Sequence, residues 1–264
     1  MRSCQRQESL AVPLHSEREG AGPRIVLLHG FGQTGRCWGP LAPGLARDHE
    51  VVRPDAPGHG GSAAVAADLP TTGRLMAEAG GPAVYLGYSM GARMALHVAV
   101  EAPHVVRRLV LVGGSPGIED DAERAERRAA DRALAQRIRD DGVAAFVARW
   151  LALPMFAHLP PEGRFEAERR RNSAEGLATS LELAGTGSQR PLWGRLAAIA
   201  VPVLVVAGED DHRYAAIAER TATAIGANAR VALVAGAGHS AHLEQPERFS
   251  ELLLEWLADT TDAG

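Results

Sequence analysis

Apolar residues along this chain fall into short runs, each closed by glycines or polar turn residues. Arg24–Leu28 is mostly apolar and stops at His29-Gly30-Phe31-Gly32, the pattern of a buried strand running into a loop. Glu50–Arg53 leads into Asp55-Ala56-Pro57-Gly58-His59-Gly60, and Ala83–Tyr88 enters Ser89 and then a helical stretch to about Glu101. Arg108–Val112, Val201–Ala207 and Arg230–Val234 complete the predicted strands. Helical patterns separate most of them, among them His212–Ile225 and Pro246–Leu257, where proline suits the first helical turn because its missing N–H has no partner there anyway. Strands that alternate with helices and read as continuous apolar runs predict an α/β fold with a mostly parallel sheet covered on both faces.

One interval breaks this rhythm. From Ile118 to Arg195 no strand is evident, and the sequence is charged, helical and rich in alanine. The expected organisation is a core formed by residues 1–117 and 196–264, with a helical cap, residues 118–195, inserted before the last two strands. Such an insertion sits over the carboxyl edge of the sheet, where ligands bind in open α/β folds.

Composition narrows the chemistry. The chain has 264 residues and a formal net charge of −4, and all 28 basic residues are arginine. Without lysine there can be no Schiff-base lysine, no P-loop lysine and no kinase strand lysine. A GC-rich genome accounts for most of this bias, since alanine is abundant as well. The acidic balance gives no overall attraction to nucleic acid or to an anionic membrane. Two cysteines, Cys4 and Cys37, support neither a disulfide scaffold nor a zinc cluster. The polar N-terminus has no signal-like apolar core, and no run reaches the roughly 18 apolar residues of a membrane span. A cytoplasmic protein is expected.

Gly87-Tyr88-Ser89-Met90-Gly91 matches G-x-S-x-G in the setting that gives the motif meaning, a strand before it and a helix after it. A serine hydroxyl needs a base and a group that orients the base. The expected order is acid, then histidine, each following a late strand. Gly208-Glu209-Asp210-Asp211 and Gly236-Ala237-Gly238-His239 stand at those places. The predicted triad is Ser89, His239 and Asp211, with Asp210 as the alternative acid; G-x-x-D spacing favours Asp211. Backbone N–H groups of Phe31 and Met90 would form an oxyanion hole. His29 and His59 are expected to hold loop conformation, and His97 to pack within the helix after Ser89. His239 and His242 have H-x-x-H spacing but no further ligands, so no metal is expected. The glycine-rich segments do not read as a dinucleotide-binding fingerprint, and no cofactor is expected.

Together these segments resemble the α/β-hydrolase family over nearly the whole chain. The insertion narrows the resemblance. Gly114-Ser115-Pro116-Gly117-Ile118, the stretch from Arg124 to Arg132, Arg171-Asn172, and Gly185-Thr186-Gly187-Ser188-Gln189 before Pro191-Leu192-Trp193 resemble the 2-succinyl-6-hydroxy-2,4-cyclohexadiene-1-carboxylate synthases of menaquinone biosynthesis. That resemblance implies substrate contacts at Tyr88, Arg93, Arg127, Trp150 and Arg171, with Arg124 and Arg128 close in register to Arg127. It also implies a small polycarboxylate substrate and elimination of pyruvate, and guanidinium groups suit carboxylates because they bind them in bidentate fashion.

The sequence departs from that subfamily at Ser240 and Leu243, where asparagine and arginine are usual, and at Leu151, where a second aromatic can follow Trp150. Residues 118–195 contain 13 arginines and 13 acids, so most of these arginines should be solvated or paired along helix faces. Two other readings remain. One is a serine hydrolase (esterase, thioesterase or carbon–carbon hydrolase) acting on an acidic metabolite. The other is a ligand-binding member of the fold without catalysis, which the complete triad disfavours. Dehalogenase and epoxide hydrolase chemistry needs an aspartate in place of Ser89.

Overall fold

The computed structural model describes residues 13–259. Cys4 and the outer ends of the expected core segments lie outside these residues. The seven strands are β1 (Ser16–Glu19), β2 (Arg24–Leu28), β3 (Glu50–Pro54), β4 (Ala83–Tyr88), β5 (Val106–Val112), β6 (Val203–Gly208) and β7 (Ala229–Val234). They form one sheet in the order β1-β3-β2-β4-β5-β6-β7, parallel throughout except for β1, which pairs antiparallel with β3. Sequence patterning missed β1. It is an edge strand of sequence Ser-Glu-Arg-Glu with no apolar alternation, and it is held by its ladder to β3 and by ion pairs such as Arg53 with Glu19 at 3.1 Å.

Alternation along the central strands divides the core in two. Val26, Leu28, Tyr85, Leu109, Leu111, Val203 and Val205 face one layer, while Ile25, Leu27, Leu86, Val110, Val112, Leu204 and Val206 face the other. The helices that cover these faces are α1 (Leu41–Leu45), α2 (Leu69–Gly80), α3 (Met90–Glu101), α7 (His212–Ile225) and α9 (Pro246–Ala258). Helices α2, α3 and α7 bury Met76, Met94 and Ile225 on the first face, and α1 and α9 bury Leu41, Phe249 and Trp256 on the second.

Between β5 and β6 the chain forms only helices: α4 (Asp121–Leu151), α5 (Glu166–Arg169), α6 (Ala174–Ala184) and short 3-10 turns. Asp120 caps α4 by accepting from the Glu123 N–H, and Ser173 caps α6 by accepting from the Gly176 N–H. Gly142, at φ 78°, breaks α4 into two helices, a conformation that favours glycine. Ile138, Phe146, Val147, Phe156, Leu177 and Leu181 form a separate apolar cluster with Leu243, which comes from α8 (Ala241–Glu244) of the sheet-bearing part. Leu243, a departure in the sequence pattern, is therefore a packing contact between the two layers, and Leu151 is buried in the same cluster. Buried Asn172 joins the layers by hydrogen bonds as well: its Nδ2 donates to the carbonyls of Gly32 and Arg169, and its Oδ1 accepts from the Gly60 N–H.

Several histidines lie fully inside this frame. His29 Nε2 accepts from the Ala56 N–H at 3.0 Å, and His59 Nε2 accepts from the Gly32 N–H at 3.2 Å. Their other ring nitrogens lie 2.9 Å from the Gly30 carbonyl and 3.0 Å from the Pro57 carbonyl, so each neutral ring cross-links two loops. His97 is buried between α2 and α3. His242 packs between Trp38, Tyr88 and Phe249 with no hydrogen-bond partner on either nitrogen among the described residues.

Burial pushes the His242 and His59 pKa values down to about 3 and that of His97 to about 4. Below about pH 6.5 the unfolded chain therefore takes up protons that these native sites refuse, and stability falls with falling pH. In His242→Phe, stability measured by chemical denaturation between pH 6 and pH 4 should fall less steeply, by about 1.4 kcal/mol per pH unit. An unchanged slope would contradict the neutral, buried assignment.

Candidate active site

The sharp turn between β4 and α3 places Ser89 at φ 53°, ψ −107°, a strained conformation for a residue with a side chain. Two glycines permit it. A Cβ on Gly91 would lie 1.7 Å from the Leu28 carbonyl oxygen, and one on Gly87 would lie 2.1 Å from the Gly91 carbonyl oxygen. Ser89 sits at the start of α3, and its N–H donates to the Val112 carbonyl at the end of β5.

Ser89 Oγ lies 3.1 Å from His239 Nε2, and His239 Nδ1 lies 2.8 Å from Asp211 Oδ2. The other Asp211 oxygen accepts from the Tyr214 N–H and caps α7. Burial opposes ionisation of Asp211, but the His239 hydrogen bond and charge outweigh it and hold the carboxyl below its ordinary pKa. Asp210 is exposed, and only its backbone N–H is engaged, by the Ala237 carbonyl. The structure thus joins Asp211, not Asp210, to the histidine. The N–H groups of Phe31 and Met90 have no acceptor among the described residues, and both residues line the same cavity as Ser89. Free N–H pairs beside a serine can hold a developing oxyanion.

The cavity has a volume of about 290 Å³. Apolar and small residues, including Trp150, Met155, Leu181 and Ala184, form much of its wall. Arg93 is buried there. It donates to the Ala184 carbonyl at 2.7 Å and has no carboxylate partner among the described residues. Burial lowers its pKa to about 10, so it remains cationic at neutral pH. Arg127 also lines the cavity, held by a 2.8 Å bond from its Nε to buried Asp131, whose second oxygen accepts from the Gly187 N–H. Arg124 and Arg128 turn elsewhere, toward Asp121 with the Ile118 carbonyl and toward the Gly187 carbonyl.

A narrow recess shares Phe31, Ser89, Trp150 and Met155 with this cavity and is closed by Gln33, Tyr88, Phe156 and Arg169. Its donors lack partners. Among the described residues Trp150 Nε1 and Gln33 Nε2 are buried without acceptors, and Arg169, 2% exposed, bonds only through Nε to the Arg164 carbonyl. Unsatisfied buried donors beside an uncompensated guanidinium favour an anion. Tyr88 borders the recess, but its hydroxyl is bound to Ser240 Oγ at 2.7 Å and burial raises its pKa. Ser240, another departure from the subfamily pattern, thereby helps to fix the loop that carries His239.

Arg171, expected at the substrate, does not reach this cavity. Its side chain is 58% exposed, pairs with Glu168 at 3.4 Å and borders a separate surface cleft with His15 and Asp55. Arg169, Arg170 and Arg171 follow the turn of α5, and a helical turn rotates successive side chains by about 100°. Only Arg169 points inward. The run of three arginines is visible in the sequence, but the inward member depends on where α5 docks. Gln33 and Arg213 also belong to the lining of the recess and the cavity without having been expected there. Among the described residues no group of acids, histidines and cysteines has the arrangement of a metal site.

Comparison with known proteins agrees with this geometry. Residues 25–252 match the alpha/beta hydrolase family. A Bacillus subtilis (strain 168) protein, provisionally named 2-succinyl-6-hydroxy-2,4-cyclohexadiene-1-carboxylate synthase, is 36% identical over 91% of this chain and 92% of its own length. The synthase of that name from Escherichia coli O1:K1 / APEC is 34% identical over 85% of this chain and 89% of its own. The structure of MenH from S. aureus superimposes with a TM-score of 0.85 at 30% identity, covering 92% of this chain and 97% of that one.

Proposed function

The chain belongs to the alpha/beta hydrolase family, and we propose that within it the chain acts as a carbon–oxygen lyase. The reaction is elimination of pyruvate from 2-succinyl-5-enolpyruvyl-6-hydroxy-3-cyclohexene-1-carboxylate. It yields 2-succinyl-6-hydroxy-2,4-cyclohexadiene-1-carboxylate, the product named in the relatives and a step of menaquinone biosynthesis. The observation that carries the reading is the set of guanidinium groups around Ser89: Arg93 and Arg127 on the cavity wall, and Arg169 in the recess. Arg93 and Arg169 are buried without a carboxylate partner among the described residues, so a neutral ester would leave them uncompensated, whereas a substrate with several carboxylates pairs with them and with the free side of Arg127.

In this reading Ser89 is a base rather than a nucleophile. Its Oγ takes the proton from ring carbon 2, next to the succinyl ketone, as His239 Nε2 takes the serine proton. Asp211 stabilises the resulting imidazolium. Negative charge that develops on the ketone oxygen is held by the N–H groups of Phe31 and Met90. The electron pair from the broken carbon–hydrogen bond forms a double bond between ring carbons 2 and 3. The original ring double bond then shifts to carbons 4 and 5. The carbon 5–oxygen bond breaks, and enolpyruvate leaves, is protonated from His239 and becomes pyruvate. No acyl-enzyme forms.

Residues 118–195 serve as the cap in this scheme, supplying Arg127, Trp150 and Arg169 over a core of residues 1–117 and 196–264. The recess fits the terminal carboxylate of the succinyl arm, and Arg93 with Arg127 fits the ring carboxylate. Substrate and products are small and water-soluble, and among the described residues no helix is long and apolar enough to cross a membrane. A cytoplasmic setting is consistent with both facts.

Pyruvate release from the enolpyruvyl substrate, followed by coupled reduction, tests the proposal. The wild-type protein should release pyruvate, Ser89→Ala should abolish the release, and nitrophenyl esters should hardly react. Background pyruvate with rapid ester turnover would instead identify a hydrolase. The placement of the arginines has its own test: Arg169→Ala should lower kcat/KM by about 100-fold, as expected for stranding a buried carboxylate. Arg171→Ala should change it by less than about two-fold, as for a surface ion pair. The reverse ranking would refute the recess as a substrate site.

A further inference from the structure

A further cationic residue, Arg213, stands on the cavity wall. Arg213 lies two residues after Asp211, in the first turn of α7, and lines the cavity together with Ser89 and His239. It is exposed, and no ion pair or hydrogen bond engages its guanidinium among the described residues. Asp211, which caps this helix, attracts Arg213, but its carboxylate is engaged by the Tyr214 N–H and His239 and forms no ion pair with Arg213 among the described residues. An arginine without an ion-pair partner, on the wall of a reaction cavity, is well placed to meet an anion brought by the ligand.

The chemistry of the proposed substrate identifies that anion. The molecule carries three carboxylates: one on the ring, one on the succinyl arm and one on the enolpyruvyl arm. Arg93 with Arg127, and Arg169 with its neighbours, account for two. We infer that Arg213 forms a third carboxylate subsite, which holds the enolpyruvyl arm at the cavity rim and orients its carbon–oxygen bond for departure. The subsite would take a short 2-oxo or enol carboxylate. This inference rests on the reading of function above and extends it to the leaving group. The location suits that group: Arg213 is exposed, while Arg93 and Arg169, assigned to the retained carboxylates, are buried.

The product carries only the two retained carboxylates, so substrate and product separate the role of Arg213 from a general charge effect. Binding is measured by calorimetry on Ser89→Ala, which cannot turn the substrate over, and on Ser89→Ala/Arg213→Gln. The second change should weaken the three-carboxylate substrate about 10- to 100-fold, as for loss of a charge-assisted contact. It should change the affinity for the two-carboxylate product by less than about two-fold. Equal weakening of both ligands, or no weakening of either, would overturn the subsite while leaving the proposed function intact. If neither ligand binds Ser89→Ala, the reading of function fails, and the subsite fails with it.

Discussion

The site depends on one close approach. To turn from β4 into α3 within a single residue, the chain brings the Gly91 backbone against the Leu28 carbonyl at the end of β2, where no Cβ fits. That contact fixes three things together. It exposes Ser89 in a strained backbone conformation, places Met90 in the cavity wall, and sets the loop after β2 alongside so that Phe31 lines the same cavity. The parallel register of β4, β5, β6 and β7 then brings Asp211 and His239 to the same edge of the sheet. Neutral His29 and His59 pin the loops on the other side. The serine machinery is therefore a consequence of sheet topology and of glycine at two positions.

That machinery does not select a reaction, because the same groups can attack a carbonyl or remove a proton. Selection comes from charge. Many of the arginines in residues 118–195 are occupied: Arg139 forks onto Glu175 and Glu182, Arg149 meets Asp141, and Arg170 meets Glu166. Arg93 and Arg169 differ, being buried without carboxylates, so they create a positive potential in a region of low dielectric. Asp131 holds Arg127 through one nitrogen and leaves the rest of its fork free. A cavity built this way favours a polyanion and gives an enolate-like transition state a field to lean on. The guanidinium groups are present before substrate arrives, which limits the reorganisation needed at the reacting centre.

Much of this was legible in the sequence for identifiable reasons. The central strands declare themselves because both faces are buried, and G-x-S-x-G declares itself because its glycines answer a steric demand. Polar β1 gives no such signal, since an edge strand can be held by its ladder and by ion pairs alone. Asp211 rather than Asp210 meets His239 and caps α7, a side-chain placement that adjacent aspartates in a loop do not reveal in the sequence. Arg127 stood out from Arg124 and Arg128 because only its side chain lies on the inner face of α4. Arg169 rather than Arg171 turns inward, because the docking of α5 is set by distant contacts, among them Asn172 with Gly32 and Gly60. Motifs that encode local backbone geometry can be read from the sequence; side-chain direction on a docked helix requires the fold.

The central claim is that Ser89 moves a proton and never carries part of the substrate. Intact-protein mass spectrometry during steady turnover of the enolpyruvyl substrate tests this most directly, with the Ser89 peptide examined after rapid acid quench. The account predicts only the unmodified protein mass while pyruvate accumulates. A succinyl group captured on Ser89 would show that the serine had attacked the ketone and cleaved a carbon–carbon bond, and would contradict it.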